Sequence, residues 1–212
     1  METILALALV LAEGRVAPAR ELRFAPVLEQ EGRAGCGPAA AASLLSLYCS
    51  IPADEAAVLD SLAAAGRPKA PGERCALADI VAAFDAFGLR SRPFRMDLAG
   101  LGSALASGFA PAIVHYARPR PHFALLLGRA GVGLVLADPA AGLEVLGVAE
   151  FSRRWSGAVV LAEPGSLSPE GRGRLFAALE GAVARRELLE RGAAARAALR
   201  LAAGIGAADG GP

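Results

Sequence analysis

The chain changes its hydrophobic period once along its length. Between residues 38 and 106, apolar side chains recur at helical spacing in segments 38–49, 52–64, 77–87 and 98–106. From residue 112 the pattern becomes short apolar runs, at 112–116, 122–128, 132–137, 143–147 and 158–162. Gly, Pro and Asp punctuate these runs, as between strands. A short helical turn over 150–155 separates the last two. Helices followed by strands with short connections predict an α+β fold, with N-terminal helices packed on a C-terminal antiparallel sheet. Apolar residues make up 54% of the 212 positions, enough for a sizeable core.

A cysteine stands where the first long helix must begin. Gly35-Cys36-Gly37-Pro38 leads into the helix-forming run Ala39 to Tyr48. The flanking glycines permit a tight approach, and Pro38 suits a first turn, where its missing N–H is not needed. Unpaired N–H groups and the positive end of the helix dipole then face the thiol and favour thiolate. The sequence holds two histidines, His115 and His122, to serve it as a base. His122 opens one strand pattern, and the next strand ends at Asp138. An antiparallel pair joined by the turn at 128–131 returns Asp138 to the side of His122. Asp138 can then orient the imidazole through one nitrogen while the other faces Cys36. His115 lies inside the preceding strand and has no such carboxylate. Gln30, six residues before Cys36, brings a side-chain amide that can donate to a developing oxyanion beside the Cys36 N–H. Taken singly, each has an ordinary alternative: a small buried thiol, a structural His, a turn Asp before Pro139, a surface Gln. Together they compose the parts of a thiol peptidase.

These motifs resemble those of the bacteriocin-processing, double-glycine cysteine peptidases, a papain-like family. The nucleophile motif is Gln30, a spacer and Cys36-Gly37-Pro38-Ala39-Ala40; the second is His122-Phe123 with a strand ending at Asp138-Pro139. Glu150-Phe151 and Trp155-Ser156-Gly157 resemble the family's closing segment. The resemblance runs from about Glu21 to about Glu163. It implies Cys36 as nucleophile, His122 as general base, Asp138 as its orienter and Gln30 as oxyanion donor. It implies a peptide or protein substrate cut after small residues, often a Gly pair, and a transporter or secretion system on a separate chain as partner. No cofactor or metal is expected. The chain is most similar to free-standing, exported members, through Arg20 to Phe24 and Leu77-Ala78-Asp79-Ile80. It departs from the pattern at Gly35, where transporter-linked members often carry Asp, and at Ala41 and Ala42, where larger apolar residues are common. Two readings stay open beside hydrolysis: transfer to an amine, and a non-catalytic peptide-binding module of the same fold.

Charge and composition exclude other classes. The net charge of +1 offers nothing to nucleic acid. Lys69, the single lysine, is followed by Ala70, so no phosphate-binding Gly-Lys-Ser/Thr loop exists. No apolar run reaches the length of a membrane span. The run Ile4 to Ala12 before Ala17-Pro18-Ala19 resembles a secretion signal over residues 1–19, although Met1-Glu2-Thr3 lacks a positive side chain. The expectation is an exported protein of the periplasm or cell envelope, with the cytoplasm as the alternative. A peptidase domain over 20–164 would follow. Cys49 and Cys75 are equally readable as a disulfide or as two thiols. Residues 165–212 read as a helical extension, amphipathic through Leu175, Leu179 and Val183, that packs on the domain or meets a partner. The tail from Gly204 is expected to be disordered.

Overall fold

A computed structural model of the protein describes residues 18–131 and 133–206. The helical half comprises α1 (Ala19–Phe24), α2 (Cys36–Ser43) with a π-helical turn (Leu44–Tyr48), α3 (Glu55–Ala64) and α4 (Leu77–Ala86). Then follow β1 (Ser91–Arg95), α5 (Leu98–Ala106), β2 (Ala112–Tyr116), β3 (His122–Ala130), β4 (Gly133–Asp138) and β5 (Gly142–Gly147). The chain continues through α6 (Val148–Arg154) and β6 (Trp155–Ala162) to α7 (Pro169–Gly206). The strands form one antiparallel six-stranded sheet in the order β1-β6-β2-β3-β4-β5. This is the expected α+β architecture.

Both faces of the sheet are covered, and strand alternation serves the two cores. Ile113, Phe123, Leu125, Leu127, Val135 and Val160 face the helical half. Val114, Tyr116, Ala124, Leu126, Leu136 and Val159 form a second cluster with Leu101 of α5 and Phe151 of α6. The central element is α2, all of whose residues are buried. Ala39 to Ala42 are at most 1% exposed. Their small side chains let the helix axis lie close to β3, which answers the departure at Ala41 and Ala42. The Ser43 hydroxyl donates to the Ala39 carbonyl and accepts from the Leu28 N–H. The Tyr48 hydroxyl donates to the Pro26 carbonyl at 2.8 Å. The segment leading to Cys36 is thereby tied to the C-terminal half of its helical run.

Polar caps set the other helices. Asp54 accepts from the Ala57 N–H at the start of α3, and Asp97 from the Gly100 N–H at the start of α5. At α4 the cap is Asp79, which accepts from the Ala76 N–H and is 1% exposed. Arg67 and Lys69 both pair with it, so the single lysine anchors the loop before α4. The buried carboxylate loses hydration, yet Lys69, the Ala76 N–H and Arg67 hold its pKa below the ordinary value.

Three features differ from the sequence-based expectations or go beyond them. Strand β1 was not evident from the sequence, because Ser91-Arg92-Pro93-Phe94-Arg95 is polar and contains a proline. It is tolerated as an edge strand that pairs with β6 alone. Cys49 and Cys75 are free thiols. Cys75 packs at Gly37, at the N-terminal end of α2, whereas Cys49 follows the far end of the same helical run. At 1.5 Å per residue the intervening helix holds them roughly 18 Å apart, beyond disulfide reach. Helix α7 continues through Gly206, carried past Gly204 by its Ala- and Leu-rich run, so the disorder expected from Gly204 does not hold for residues 204–206. Residues 1–17, with most of the signal-like segment, and 207–212 lie outside the described residues. No described helix is long and apolar enough to cross a membrane.

The first turns of α7 belong to the main core. Ala182 is 2% exposed, and Leu175, Ala178 and Leu179 pack on the same cluster. Ser168 caps the helix by accepting from the Gly171 N–H, and its own N–H donates to the Tyr48 carbonyl. Gly171 lies so close to that backbone that a Cβ would sit 1.9 Å from the Tyr48 oxygen. Gly171→Ala must therefore push α7 away from the π-helical turn. A cost of about 1–3 kcal/mol is expected as a lower melting temperature by circular dichroism. Gly173→Ala, with open space at its Cβ, serves as the neutral control.

Candidate active site

The helical and sheet halves meet where α2 begins and β3 begins. Gly37 makes the meeting close: a Cβ there would lie 2.9 Å from the Cys75 Cβ, 3.3 Å from Ile80 and 3.4 Å from Phe123. The residue is glycine for lack of space. Gly35 is explained in the same way, because a Cβ there would lie 2.2 Å from the Glu55 carboxylate oxygen. Gly35 itself has φ −74, which any residue can adopt. The sequence suggested a tight approach at both positions; close packing is its reason.

Cys36 is 4% exposed. Burial raises its pKa, but a hydrogen bond with His122, the Phe123 N–H, the imidazolium charge and the Gly37 N–H outweigh it. The net shift is downward from 9.0. Cys49 and Cys75 lack such donors, and burial pushes both up to about 11.

His122 and Asp138 stand side by side, as the strand pairing anticipates. Strands β3 and β4 pair with Leu125 opposite Ala137, so the end of β4 returns toward the start of β3. The His122 Nε2 lies 2.8 Å from both Asp138 oxygens. That leaves Nδ1 for the sulfur of Cys36. Burial favours neutral His122, but the Asp138 bond, the Cys36 bond and the two negative charges raise its pKa to about 9. From 6.5 this corresponds to roughly 3 kcal/mol of preference for imidazolium. The preference stabilises the folded chain fully below pH 6.5 and is lost as pH rises through about 9. Thiolate and imidazolium are the mutually stabilised forms.

Asp138 is also a turn residue. Its Oδ1 accepts from the Ala140 and Ala141 N–H groups at 2.7 and 3.2 Å. Those bonds fix the carboxylate before it meets the imidazole. Tyr116 stacks behind His122 with ring centroids 6.2 Å apart. His115, on the same strand, does have a partner, but it is the Ser156 hydroxyl at 3.0 Å and not a carboxylate. Burial first, then His122 and Arg95, lower its pKa and keep it neutral.

Gln30 lies on the loop that approaches Cys36. Its backbone N–H donates to the Pro139 carbonyl at 2.9 Å, tying this loop to the turn after Asp138. The side-chain Nε2 donates to the Gly32 carbonyl at 2.5 Å, and the buried Oε1 has no partner. The amide carries a second N–H. Glu55 was not singled out in the sequence. Its carboxylate accepts from the Glu31 N–H at 2.7 Å and braces the loop over residues 31–35 from α3. Nothing in its spacing from Cys36 announces that contact.

A thiol at a helix N-terminus, facing a His–Asp pair at the ends of two neighbouring antiparallel strands, places the molecule in the papain-like class of cysteine peptidases. The profile of the peptidase C39 family matches residues 25–166. The chain belongs to that family and is a cysteine peptidase. It is 32% identical over 142 residues to the Probable functional amyloid protease FapD of Pseudomonas aeruginosa. That similarity takes in 66% of this chain and 61% of the relative's length. The fold is that of the peptidase domain of Streptococcus ComA, a bifunctional ABC transporter, at TM-score 0.57 and 19% identity. That match covers 66% of this chain and 98% of the other. A double-glycine-motif protease from an AMS/PCAT transporter, solved with its leader peptide, matches at TM-score 0.56 and 24% identity. It covers 66% of this chain and 91% of that one.

The three thiols should differ sharply in reactivity. With limiting iodoacetamide near neutral pH, peptide mapping is expected to find Cys36 carboxymethylated and Cys49 and Cys75 intact. The two latter thiols stay protonated until pH nears 11. Preferential labelling of either would contradict the assignment.

Proposed function

We propose that the protein hydrolyses peptide bonds through Cys36 as nucleophile, His122 as proton shuttle and Asp138 as the group that orients the imidazole. The observation that carries this reading is the Nε2–carboxylate bond at 2.8 Å, which directs the other imidazole nitrogen to the thiol. The thiolate attacks the scissile carbonyl carbon. The developing oxyanion is met by the Cys36 N–H and by the second N–H of the Gln30 amide. Imidazolium protonates the leaving amine, and an acyl-enzyme remains. Neutral His122 then takes a proton from water, which releases the acid and restores the thiolate.

Under this reading the cut follows small residues, typically a Gly pair. The support is the sequence resemblance and the likeness to a double-glycine-motif protease seen with its leader peptide. The relation to a probable functional amyloid protease suggests an amyloid-forming polypeptide as substrate, and the signal-like segment over residues 1–19 suggests export of the enzyme. A transporter or secretion system on another chain would be the working partner.

Incubation with Gly-Gly-containing peptides, followed by intact-mass analysis, tests the reaction. Cleavage after the Gly pair and its loss in Cys36→Ala are expected; no cleavage of any such peptide would sink the reading. The rate should fall as pH rises through about 9, where His122 loses its proton. Asp138→Asn keeps an oxygen for Ala140 and removes the charge that holds that proton. Its kcat should fall about 10²-fold or more, and its alkaline limb should move to lower pH. An unmoved limb would confine Asp138 to the turn. Gln30→Ala is expected to lower kcat about 10²- to 10³-fold with little change in KM. A loss below about threefold would exclude the donor role.

A further inference from the structure

The loop that delivers His122 to the site is basic and is held from two sides. It reads Ala117-Arg118-Pro119-Arg120-Pro121. The Arg154 carbonyl, at the end of α6, accepts from the Ala117 and Arg118 N–H groups at 2.8 and 3.3 Å. From the other side, Arg74 donates to the Pro121 carbonyl at 3.3 Å. Three segments far apart in sequence thus converge, and each brings arginine. Arg118, Pro119, Ser152, Arg153 and Arg154 line one open groove there.

Most of this charge is uncompensated. Arg154 pairs with Glu150. Arg74, Arg118, Arg120 and Arg153 are exposed and take part in none of the ion pairs among the described residues. The cluster also flanks the reacting groups. Pro121 immediately precedes His122, and Cys75, next to Arg74, packs on Gly37 beside Cys36. The helical side of the site is mixed in charge: Glu29 and Glu31 on the Gln30 loop and Glu55 at the start of α3 stand against Arg20, which pairs with Glu29, and the exposed Arg33. The unpaired guanidinium charge is therefore concentrated on the His122 side of the site.

We propose that this arginine-lined groove docks an acidic segment of the substrate polypeptide, carboxylates on guanidinium groups, and so sets the direction in which the chain crosses Cys36. The proposal rests on the peptidase reading above. Guanidinium is the cation suited to planar carboxylate recognition, and a local field of this kind steers and orients a partner. With a net charge of only +1, the molecule as a whole is not built to attract polyanions.

The test uses the full chain and two labelled peptides. One carries Asp and Glu on one side of a Gly-Gly pair; the other has Asn and Gln at the same positions. Binding is followed by fluorescence anisotropy with Cys36→Ala protein, and kcat/KM with the active enzyme. The acidic peptide is expected to bind roughly tenfold tighter, with the advantage fading at high salt. Arg118→Glu/Arg153→Glu should bring the acidic-to-neutral ratio to about one or below, and Arg118→Gln/Arg153→Gln to an intermediate value, with melting temperatures unchanged. Equal affinity for the two peptides would overturn the proposal, as would a preference that survives the charge reversal. Competition by a DNA duplex or by vesicles of anionic lipid as effective as the acidic peptide would overturn it too. If neither peptide is cleaved, the peptidase reading fails; the anisotropy ratio still decides the docking site on its own.

Discussion

Everything chemical in this molecule depends on how closely the N-terminus of α2 approaches the start of β3. The two carry the thiol and the imidazole, and nothing covalent holds them together. Gly37 permits the contact, because a side chain there would collide with Cys75, Ile80 and Phe123 at once. Shape alone then brings the Phe123 N–H and His122 to the sulfur. Close-packed interiors do not adjust gradually. A helix displaced by the thickness of a methyl group would separate thiol from imidazole, since hydrogen bonds weaken steeply with distance and angle. The all-alanine stretch that follows Pro38 serves the same end, because it lets the body of the helix follow its first turn down onto the sheet.

Burial at this contact is costly to both ionised groups, and the site offsets it by pairing. Desolvation alone would raise the Cys36 pKa and lower that of His122, leaving a neutral and unreactive pair. Backbone donors and the imidazolium reverse the first effect, and two negative neighbours reverse the second. Asp138 holds the arrangement in register because its turn bonds to Ala140 and Ala141 fix the carboxylate independently of the histidine. The Gln30 N–H, bonded to Pro139, brings the loop before the nucleophile to that same turn. One short turn thus orients the base and anchors the loop on which the Gln30 amide sits.

The frame of this arrangement is legible in the sequence. A switch from helical period to short apolar runs is a direct consequence of where side chains point, so helices and strands separate on inspection. His122 and Asp138 sit at strand ends, where antiparallel pairing across a Gly-containing turn fixes their proximity. What escaped was fixed by tertiary contact. Strand β1 is polar and contains Pro93, and it pairs with only one neighbour, so its strand character depends on β6. Glu55 braces the loop over residues 31–35 from another helix, and no periodicity relates the two. The direction of the Gln30 amide depends on the Gly32 carbonyl two residues on, a loop conformation that spacing does not specify. Cys49 and Cys75 are separable only once the length of the helix between their neighbourhoods is known.

The family similarity ends at residue 166, yet the packing does not. Leu175, Ala178, Leu179 and Ala182 of α7 complete the same apolar cluster that buries α2. Leu179 also fills the space over Gly128, where β3 carries a bulge. The Ser168 N–H and the backbone of Gly171 both rest on the Tyr48 carbonyl, at the far end of the helical run that begins with Cys36. The helix beyond the recognisable domain therefore bears on the nucleophile helix from behind. A π-helical turn at Leu44–Tyr48 is the place where that run is widened. Residues outside the shared region thus contribute to the rigidity with which Cys36 is presented, through contacts about three turns of helix away from the thiol.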